Sequence, residues 1–443
     1  MGSHVVIAGG GFGGFHAAQT LERILPAGHA RVTLVNDENF LLYTPFMAGV
    51  AGGALEPRHI VVPLREALPR TDVRLLRVEG ASPERRCLRV RTQTGREEDL
   101  HYDQLVVALG SVTRVLPVPG LIEHAVGFKT LAEAVALRDR LLRTLELAET
   151  LEDPEERAPY LTFVFVGGGY AGLGGLAELQ DFARDITRLY PRCREQGLRF
   201  VLVESRERIM AEVPERLAAF ALRQLAGRGI EVLSATTVTA VHADRVSLST
   251  GASIATRTVV WTAGVAPSPV VASLGLPLDP TGGLRVDAHM RVEGVPNVWA
   301  LGDAAAVPDP ARPGSTCPPT RQHAMRQGWR VGANVAAAVG VGTAAPFTYE
   351  TRGVFVDLGR QKAVALFMGL RLRGLPAWLL TRFYHLKRVP GWGRRVQLIS
   401  DWATDRAFAR DSSELGQLGH PIDQPAPPAL ERALSSRFEP GAA

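Results

Sequence analysis

The chain carries the same glycine fingerprint twice, and this repeat constrains its fold more than any other feature. The first copy follows residues 4–8 with Gly9, Gly11 and Gly14, and the second follows residues 161–166 with Gly167, Gly169 and Gly172. In each copy a β-branched apolar run breaks into G-x-G-x-x-G and then into a helix-like stretch. Such turns let the backbone approach a pyrophosphate at a helix N-terminus, where free N–H groups favour anions. Two copies indicate a relay between two nucleotides.

The bulk composition is typical of a multidomain globular protein. The 443 residues are 46% hydrophobic and 21% charged, which leaves room for two or three domains. No basic region and apolar core precede residue 4, so we predict no secretory signal. No apolar run reaches the roughly 18 residues that a spanning helix needs, so we predict that the chain does not cross a membrane.

Cysteine usage favours a reducing compartment. Cys87, Cys193 and Cys317 are far apart and form no C-x-x-C pair, which argues against a dithiol redox centre. Inert thiols are the simplest interpretation, and no metal site is predicted. Cys317 precedes a predicted helix, so it is the one thiol for which we consider a lowered pKa.

Positive charge is concentrated near the C-terminus. Residues 371–410 hold nine Lys or Arg against two Asp, a local charge of +7, whereas the whole chain carries +5. The aromatic residues among these cations are Trp378, Phe383, Tyr384, Trp392, Trp402 and Phe408. Indole rings suit a lipid interface, and arginines beside them reach headgroup phosphates. The alternatives are a nucleic-acid surface and aromatic rings packed in a soluble core with solvated arginines.

A whole domain plan is repeated along the chain. An apolar strand that ends in glycine occurs at residues 102–110 and again at residues 258–264, in each case well after a fingerprint. A third strand, at residues 297–303, also ends in glycine. The helix predicted over residues 320–339 has Thr320 as its N-cap.

Together these motifs resemble the type II NADH dehydrogenases, within the larger group of flavoproteins that bind two dinucleotides. The resemblance covers residues 4 to about 410 and rests on both fingerprints, residues 42–46, 106–110 and 301–303, the helix from Gln322 to Gln327 and the basic aromatic C-terminus. It implies an α/β fold with two Rossmann-like domains, one discontinuous and binding FAD tightly, the other inserted and binding NADH. It also implies that two electrons pass from NADH through FAD to a membrane quinone, without proton pumping, in a bacterial respiratory chain.

The resemblance also divides the chain and places it in the cell. The FAD-binding domain comprises residues 1–125 and 275–345, the NADH-binding domain residues 126–274, the C-terminal β and helical membrane-association region residues 346–412, and a weakly ordered tail residues 413–443. A small β-rich element is expected between about residues 347 and 372. We expect a peripheral enzyme on the cytoplasmic face of the cell membrane, bound to anionic lipid through residues 371–410 rather than to nucleic acid. The oligomeric state stays open, a homodimer being one option.

The first fingerprint is predicted to bind FAD. Asn36 stands where an acid normally ends the second strand to bind a ribose, and the adjacent Asp37 is the alternative. Asp303 resembles the family's aspartate that binds the flavin ribityl chain, the alternative being a loop aspartate that caps a helix. The helix from Thr320 is expected to direct its positive N-terminus at the flavin, which favours reduction. The predicted FAD set is Gly9, Gly11, Phe12, Gly13, Gly14, Asn36, Thr44, Pro45, Gly110, Gly302, Asp303, Gln322 and His323.

The second fingerprint is predicted to bind NADH. Glu204 ends the strand of residues 199–203, where a carboxylate accepts hydrogen bonds from a ribose diol and repels a 2′-phosphate. Arg206 and Arg208 favour the alternative, NADPH. The predicted NADH set is Gly167, Gly169, Tyr170, Gly172, Glu204 and Gly264.

The predicted acceptor side departs from the family pattern at the second fingerprint. Family members usually carry a glutamate two residues after its last glycine, where this chain has Gly174. Glu178 lies one helical turn farther, displaced by about 5 Å, and is the candidate substitute. The alternative is that Glu178 is an ordinary acid on the helix surface.

The quinone-site helix departs from the pattern as well. Gln322 and Gln327 are retained, but Arg321 replaces a small residue and Arg326 stands where a glutamine is common. These arginines either bring fixed charge to a normally neutral site or face solvent. We therefore name Gln322, Gln327 and Glu178 as the candidate catalytic residues.

Two further hypotheses remain beside the quinone reductase. One keeps the fold and hydride transfer but gives the electrons to a non-quinone acceptor, and the other is a weakly catalytic FAD- and NADH-binding sensor. Disulfide reductases fit less well, because they need a cysteine pair close after the first fingerprint, and this chain has none there. Sulfide:quinone oxidoreductases need reactive cysteines at the flavin, for which Cys193 and Cys317 are remote candidates.

Overall fold

The computed structural model describes residues 2–211, 213–350, 353–359 and 361–414, and these form a mixed α/β structure. The helices are α1 (Phe12–Ile24), α2 (Met47–Ala51), α3 (Leu64–Ala67), α4 (Leu121–His124), α5 (Leu131–Thr150), α6 (Pro154–Arg157), α7 (Tyr170–Thr187), α8 (Pro191–Gln196), α9 (Glu215–Ala226), α10 (Arg321–Ala338), α11 (Leu375–Leu386) and α12 (Trp392–Ala407). The α/β fold class predicted from the sequence is confirmed.

The strands fall into a first group before the second fingerprint and a second group after it. The first are β1 (Ser3–Ala8), β2 (Ala30–Asn36), β3 (Phe40–Leu42), β4 (Val61–Pro63), β5 (Asp72–Ser82), β6 (Cys87–Thr92), β7 (Glu97–His101), β8 (Gln104–Val107), β9 (Ser111–Thr113), β10 (Ala125–Gly127) and β11 (Thr162–Val166). The second are β12 (Arg199–Val203), β13 (Ile230–Leu233), β14 (Val238–Val241), β15 (Arg245–Leu248), β16 (Ser253–Ala255), β17 (Thr258–Trp261), β18 (Val265–Pro267), β19 (Leu284–Arg285), β20 (Val298–Ala300), β21 (Ala305–Ala306), β22 (Gly353–Asp357), β23 (Ala363–Phe367) and β24 (Leu370–Gly374).

Two sheets carry the two fingerprints. The larger sheet has the order β20-β8-β1-β2-β5-β6-β7, and the strands from β20 to β5 run parallel. The second sheet has the order β10-β17-β11-β12-β13 and is parallel throughout. Each fingerprint follows a strand that lies inside its sheet, β1 or β11. The apolar residues of both strands are fully or almost fully buried, as expected for parallel strands covered on both faces.

Helix α10 packs closely against α1, the helix that follows the first fingerprint. It begins after Thr320, whose hydroxyl accepts a hydrogen bond from the His323 N–H at 3.3 Å, so the predicted N-cap is confirmed. Two glycines let it pack closely on α1: a Cβ at Gly328 would lie 2.3 Å from the Gly13 carbonyl oxygen, and one at Gly332 would lie 2.8 Å from that of Ala17. Small residues at this crossing therefore hold the two helix N-termini side by side.

The chain after residue 350 adds a small sheet and two helices. Strands β22, β23 and β24 form an antiparallel sheet, which is the β-rich element expected from the sequence. Among the described residues, no helix combines the length and apolar character needed to cross a membrane. Of the tail predicted over residues 413–443, everything after residue 414 lies outside the described residues. Ser413 and Glu414 contact α5, through Arg138 at 2.9 Å and Arg143 at 2.6 Å.

Candidate functional site

The first fingerprint turns the chain from β1 into α1 with a backbone that requires glycine. Gly9 has a φ of 108°, and its N–H donates to the Val35 carbonyl oxygen at 2.8 Å. A Cβ on Gly14 would lie 1.8 Å from the Gly9 carbonyl oxygen, so a side chain would push the helix from the strand. No side chain in the described part of the chain caps the N-terminus of α1, so the N–H groups of its first turn have no side-chain acceptor there, as in anion sites.

A cavity of about 510 Å³ lies in front of this turn. Nine residues of the predicted FAD set line it: Gly9, Gly11, Phe12, Gly13, Asn36, Thr44, Gly110, Gly302 and Asp303. Gly14 lies behind the turn against Gly9, and Pro45 follows Thr44 in the short 3-10 helix Thr44–Phe46. Residues from distant parts of the chain therefore meet in one concave site, which is typical of a ligand pocket.

Asn36 ends β2 at the edge of this cavity. Its Oδ1 accepts a hydrogen bond from the Gly10 N–H at 2.7 Å, and its Nδ2 donates to the Glu38 carbonyl oxygen at 2.8 Å. The backbone of the loop thus fixes the orientation of the amide. Asp37, the alternative considered from the sequence, also lines the cavity.

Asp303 belongs to a cluster that the sequence analysis missed. Its Oδ2 accepts from the Ser111 Oγ at 2.5 Å, and the Lys129 Nζ donates to the same Oγ at 2.8 Å and lies 3.7 Å from Asp303 Oδ2. All three residues line the cavity. Lys129 directly precedes Thr130, the N-cap of α5, whose capping box of Thr130 and Glu133 holds the loop. That box, preceded by one of only three lysines in the chain, is the signal that could have revealed Lys129.

The N-terminus of α10 reaches the cavity. The residues that line the cavity there are Pro319, Arg321 and Ala324. Gln322 points elsewhere: its Nε2 donates to the Gly353 carbonyl oxygen at 2.9 Å, and its Oε1 accepts from the Tyr349 Oη at 2.8 Å. The side chain therefore joins α10 to the start of β22 and to Tyr349 before it.

His323 and Gln327 also lie behind the cavity wall. His323 Nδ1 is 2.7 Å from Thr320 Oγ1, and burial lowers the pKa of the imidazole to about 4. Gln327 is 1% exposed, and its Oε1 accepts from the Gly302 N–H at 2.8 Å. Both side chains thus support the turn and the helix start that form the wall.

The second fingerprint repeats the geometry of the first. Gly167 has a φ of 110°, and its N–H donates to the Val203 carbonyl oxygen at 2.9 Å. A Cβ on Gly172 would lie 2.3 Å from the Gly167 carbonyl oxygen, while Gly169 faces open space. The N-terminus of α7, which begins at the half-buried Tyr170, has no side-chain cap. This turn therefore has the same geometry as the first, with a helix N-terminus of the kind that binds anions.

Glu204 ends β12 beside this second turn. The carboxylate is 9% exposed, and it accepts from the Gly168 N–H at 2.6 Å and from the Arg206 N–H at 2.8 Å. Gly264 follows β17, the other neighbour of β11, with a φ of 91°. The structure thus brings Glu204 and the fingerprint together, with Gly264 at the end of the adjacent strand.

Glu178 is not the helix-surface acid considered from the sequence. It is 4% exposed, and its carboxylate lies 3.4 Å from an Arg410 nitrogen and 3.9 Å from an Arg382 nitrogen. Burial, together with the carboxylate of Asp357, raises the pKa of Glu178 to about 7 despite the two arginines. Glu178 is buried because α11 and the segment after α12 cover α7, and neither is close to it in sequence. At Gly174, by contrast, a Cβ would meet only the Ala48 Cβ, at 3.7 Å.

The cysteines carry no sign of redox activity. Burial, with Asp309 nearby, raises the pKa of Cys317 to about 11, so the lowered pKa considered from the sequence is wrong. Burial and Glu149 likewise raise the pKa of Cys193 to about 12. Thiolate is the reactive form, so neither thiol is activated near neutral pH.

The C-terminal helices present an apolar surface between cations. Its exposed apolar side chains are Leu375, Leu379, Phe383, Trp392, Val396, Ile399 and Phe408, each at least 50% exposed. Those on α11 recur every four residues, so they form one face of that helix. Trp402, by contrast, packs on Phe46 with ring centroids 5.7 Å apart. Some of the aromatic rings of this region are therefore exposed and others are packed on the core.

Both turns fit a dinucleotide by the same observations. In each turn two glycines approach so closely that a Cβ on the second would clash with the carbonyl oxygen of the first. Each also has a helix N-terminus without a side-chain cap among the described residues, and an acceptor side chain at the end of the next strand. The first also has a cavity with polar side chains on opposite walls. These features are those of Rossmann-type dinucleotide sites.

Comparisons with known proteins agree with this geometry. Residues 3–328 match the family model described as pyridine nucleotide-disulphide oxidoreductase. Demethylphylloquinone reductase NdbB from Synechocystis sp. is 32% identical, with 90% of this chain and 95% of that protein covered. Type II NADH:quinone oxidoreductase NdhA from Mycobacterium tuberculosis is 30% identical over 90% of this chain and 86% of its own length.

A solved structure shares the fold of most of the chain. NDH2 from Plasmodium falciparum, in complex with NADH, superposes with a TM-score of 0.86 and 17% identity, covering 93% of this chain and all of that one. At this identity the likeness concerns the fold. With the family model and the two relatives, the chain belongs to the type II NADH:quinone oxidoreductases, within the pyridine nucleotide-disulphide oxidoreductase family.

Proposed function

We propose that this protein oxidises NADH and passes two electrons through FAD to a quinone. The observation that carries the proposal is the presence of two separate dinucleotide turns, at Gly9 and Gly167, in one chain of this family. FAD supplies the redox chemistry, because it accepts two electrons from NADH and returns them to an acceptor. The relatives named above are a quinone reductase and an NADH:quinone oxidoreductase.

In this proposal the first turn holds FAD. The N–H groups at the start of α1 bind the pyrophosphate, and Asn36 or Asp37 binds the adenosine ribose. Asp303 binds the ribityl chain, and Ser111 and Lys129 orient its carboxylate through the contacts at 2.5 and 3.7 Å. The FAD-binding domain comprises residues 1–125 and 275–345, since β20 pairs with β8 in the sheet that contains β1.

The second turn binds NADH in the same proposal, within residues 126–274. Glu204 accepts hydrogen bonds from the ribose diol and repels a 2′-phosphate, so NADH is preferred to NADPH. The backbone N–H groups of Gly168 and Arg206 already hold the Glu204 carboxylate beside the turn, which supports this role. Gly264, at the end of the adjacent strand, leaves room beside the turn for the rest of the dinucleotide.

The predicted catalytic set takes supporting roles. The contacts of Gln322 and Gln327 favour positioning of α10 and of the Gly302 turn, because both amides are held by the protein itself. The buried ion pairs of Glu178 favour a similar role, in which it joins α7 to α11 and to Arg410. All three are proposed to act through neighbouring groups.

Turnover with quinones tests the electron path. Purified protein that carries FAD is mixed with NADH and a panel of benzoquinone and naphthoquinone analogues, with and without anionic liposomes. We expect NADH oxidation that requires a quinone, and a much smaller rate with NADPH. Rapid bleaching of FAD by NADH with slow reoxidation by every quinone would instead favour the non-quinone acceptor, and no bleaching would contradict both.

We also propose that the protein binds the cytoplasmic face of an anionic membrane through residues 371–410. The exposed face of α11 and Trp392 at the start of α12 supply apolar contact, and exposed Arg371, Lys387 and Arg406 supply charge. Large apolar side chains exposed in this number are typical of a surface that binds a partner or a membrane.

Vesicle sedimentation tests the membrane proposal. Phe383→Ser combined with Trp392→Ser should weaken binding to anionic vesicles several-fold. Ile122→Ser is the matched control, because Ile122 lies on α4, outside this surface, and is as exposed as Trp392, at 75% against 76%. Equal binding by the double variant and the control would contradict the proposal, and light scattering of the same samples reports whether the protein is a homodimer.

A further inference from the structure

Arg321 is an unusual residue in the wall of the FAD cavity. It is the first residue of α10, and it lines the cavity together with Thr44, Pro319 and Ala324. Three aromatic rings surround its guanidinium: the Cζ lies 5.3 Å from the Tyr43 ring centroid, 5.6 Å from that of Phe12 and 6.0 Å from that of Tyr384. Aromatic faces hold a guanidinium without neutralising its charge.

The polar partners of Arg321 are neutral as well. Its Nη1 donates to the Tyr43 Oη and its Nη2 to the His385 Nδ1, both at 3.3 Å. Burial raises the pKa of Tyr43 to about 12, so the phenol keeps its proton. Burial and the cations of Arg321, Arg388 and Arg382 hold the pKa of His385 well below its usual range, so its imidazole is uncharged and accepts a hydrogen bond.

No carboxylate in the described part of the chain forms an ion pair with Arg321. Asp303, in the same cavity, is already engaged by Ser111 and Lys129. The cavity wall therefore carries a positive charge that the protein leaves uncompensated, at the helix end that is itself partly positive.

Arg326 makes the contrast clear. It lies on the same helix, five residues on, but its guanidinium stacks over the Tyr349 ring at 4.0 Å and donates to the Gln322 carbonyl oxygen at 3.0 Å. It is not among the residues that line the cavity, and its guanidinium lies against the segment before β22. The helix thus offers a matched pair of arginines, Arg321, which lines the cavity, and Arg326, which does not.

We propose that Arg321 is a positioning residue that holds a fixed positive charge beside bound FAD and thereby raises its reduction potential. The inference rests on the proposed function only in placing FAD in this cavity. Reduction adds negative charge to the flavin, and a cation in a partly buried site stabilises the reduced form more than the oxidised form. The effect does not require any particular electron acceptor.

The reduction potential of the FAD-loaded protein tests this. In Arg321→Met, which fills the aromatic cage without a charge, the ratio of reduced to oxidised FAD at a fixed ambient potential should fall about tenfold, or ~30 mV for a two-electron couple. Arg321→Lys should stay near the wild-type potential, because it retains the charge. Arg326→Gln is the matched control and should leave the potential unchanged.

Other outcomes overturn the proposal. A wild-type potential in Arg321→Met shows that the charge does not act on the flavin. If Arg321→Met binds oxidised and reduced FAD more weakly by the same factor, its potential is unchanged, and the charge of Arg321 acts on the pyrophosphate and not on the flavin ring. A similar fall in both the Met and Lys variants shows that the packing of Arg321 matters and its charge does not. If Arg321→Met does not retain FAD, Arg321→Gln replaces it in the same comparison. Because no quinone takes part, failure here is distinct from failure of the quinone assay.

Discussion

The two fingerprint turns have nearly the same backbone but differ in the acceptor side chain at the end of the next strand. Gly9 has a φ of 108° and Gly167 one of 110°. At the first turn Asn36 accepts a hydrogen bond from the Gly10 N–H at 2.7 Å, and at the second Glu204 accepts one from the Gly168 N–H at 2.6 Å. One acceptor is a neutral amide and the other a carboxylate. The repeated backbone defines a dinucleotide site in each case, and the acceptor side chain distinguishes the two sites.

The surroundings of the turns differ as well. The first turn faces a cavity whose walls come from both ends of the sequence, including Lys129 and the start of α10. The second turn is completed by residues of its own sheet, Glu204 after β12 and Gly264 after β17. A resident cofactor needs walls on several sides, whereas a substrate that leaves in every cycle needs an open approach. The difference thus agrees with FAD at the first turn and NADH at the second.

The largest expected effect comes from filling each turn with a methyl group, because the two variants should lose the binding of different ligands. Gly14→Ala places a Cβ 1.8 Å from the Gly9 carbonyl oxygen, so the purified variant should contain little or no FAD. Gly172→Ala places its Cβ 2.3 Å from the Gly167 carbonyl oxygen and should keep FAD but raise the KM for NADH at least about tenfold. Visible absorbance and steady-state kinetics measure the two effects. FAD loss in Gly172→Ala alone would reverse the assignment.

The fingerprints could be predicted because their geometry is local. A φ near 110° at Gly167 and the close approach of Gly172 follow from residues within one turn, and Glu204 follows from the end of the next strand. The Lys129 cluster could not be predicted, because Ser111 and Asp303 are 192 residues apart. Burial of Glu178 was missed for the same reason, since its partner Arg410 lies 232 residues away. Sequence motifs likewise do not show that Gln322 points to Tyr349.

The next comparison concerns the two fingerprint helices. Glu178 on α7 occupies the position that Thr20 occupies on α1, six residues after the last glycine. A pKa raised from 4.5 to about 7 means that folding favours the protonated carboxyl, so this group's contribution to stability falls as the pH rises between those values. The free energy of unfolding of Glu178→Gln, relative to that of wild type, should therefore increase by on the order of 2–3 kcal/mol as the pH rises from 4 to 8. The measurement is the difference in melting temperature at each pH.

Thr20→Val is the matched control for this helix comparison. The Thr20 hydroxyl is buried without a hydrogen-bond partner among the described residues, so its loss should cost little. Its melting temperature should follow that of wild type at every pH. A difference between Glu178→Gln and wild type that does not change with pH would refute the raised pKa.

A smaller effect is expected from the acceptor side chains. Glu204→Gln removes the charge that repels a 2′-phosphate, so the ratio of kcat/KM for NADH to that for NADPH should fall about tenfold, or ~1.4 kcal/mol. Asn36→Asp makes the opposite change at the first turn and should leave this ratio as it is. If Glu204→Gln keeps the wild-type ratio, the discrimination lies elsewhere, with Arg206 and Arg208 as the next residues to change.

The smallest effect concerns helix starts. α1 and α7 have no side-chain cap, whereas Thr320 caps α10. Thr320→Ala should therefore cost about 1 kcal/mol of stability, seen as a melting temperature a few degrees lower. Thr320→Ser should restore most of it. An unchanged melting temperature in the Ala variant would mean that the cap adds nothing measurable to α10.

The central claim is that FAD at the first turn takes electrons from NADH at the second and gives them to a quinone. Anaerobic rapid mixing of the FAD-loaded protein with NADH, followed by a second mix with quinone, tests it most directly through the visible absorbance of FAD. We predict complete bleaching by NADH and full return of the absorbance on adding quinone, both at least as fast as turnover. Bleaching that Gly172→Ala leaves unaffected, or absorbance that quinone fails to restore, would contradict it.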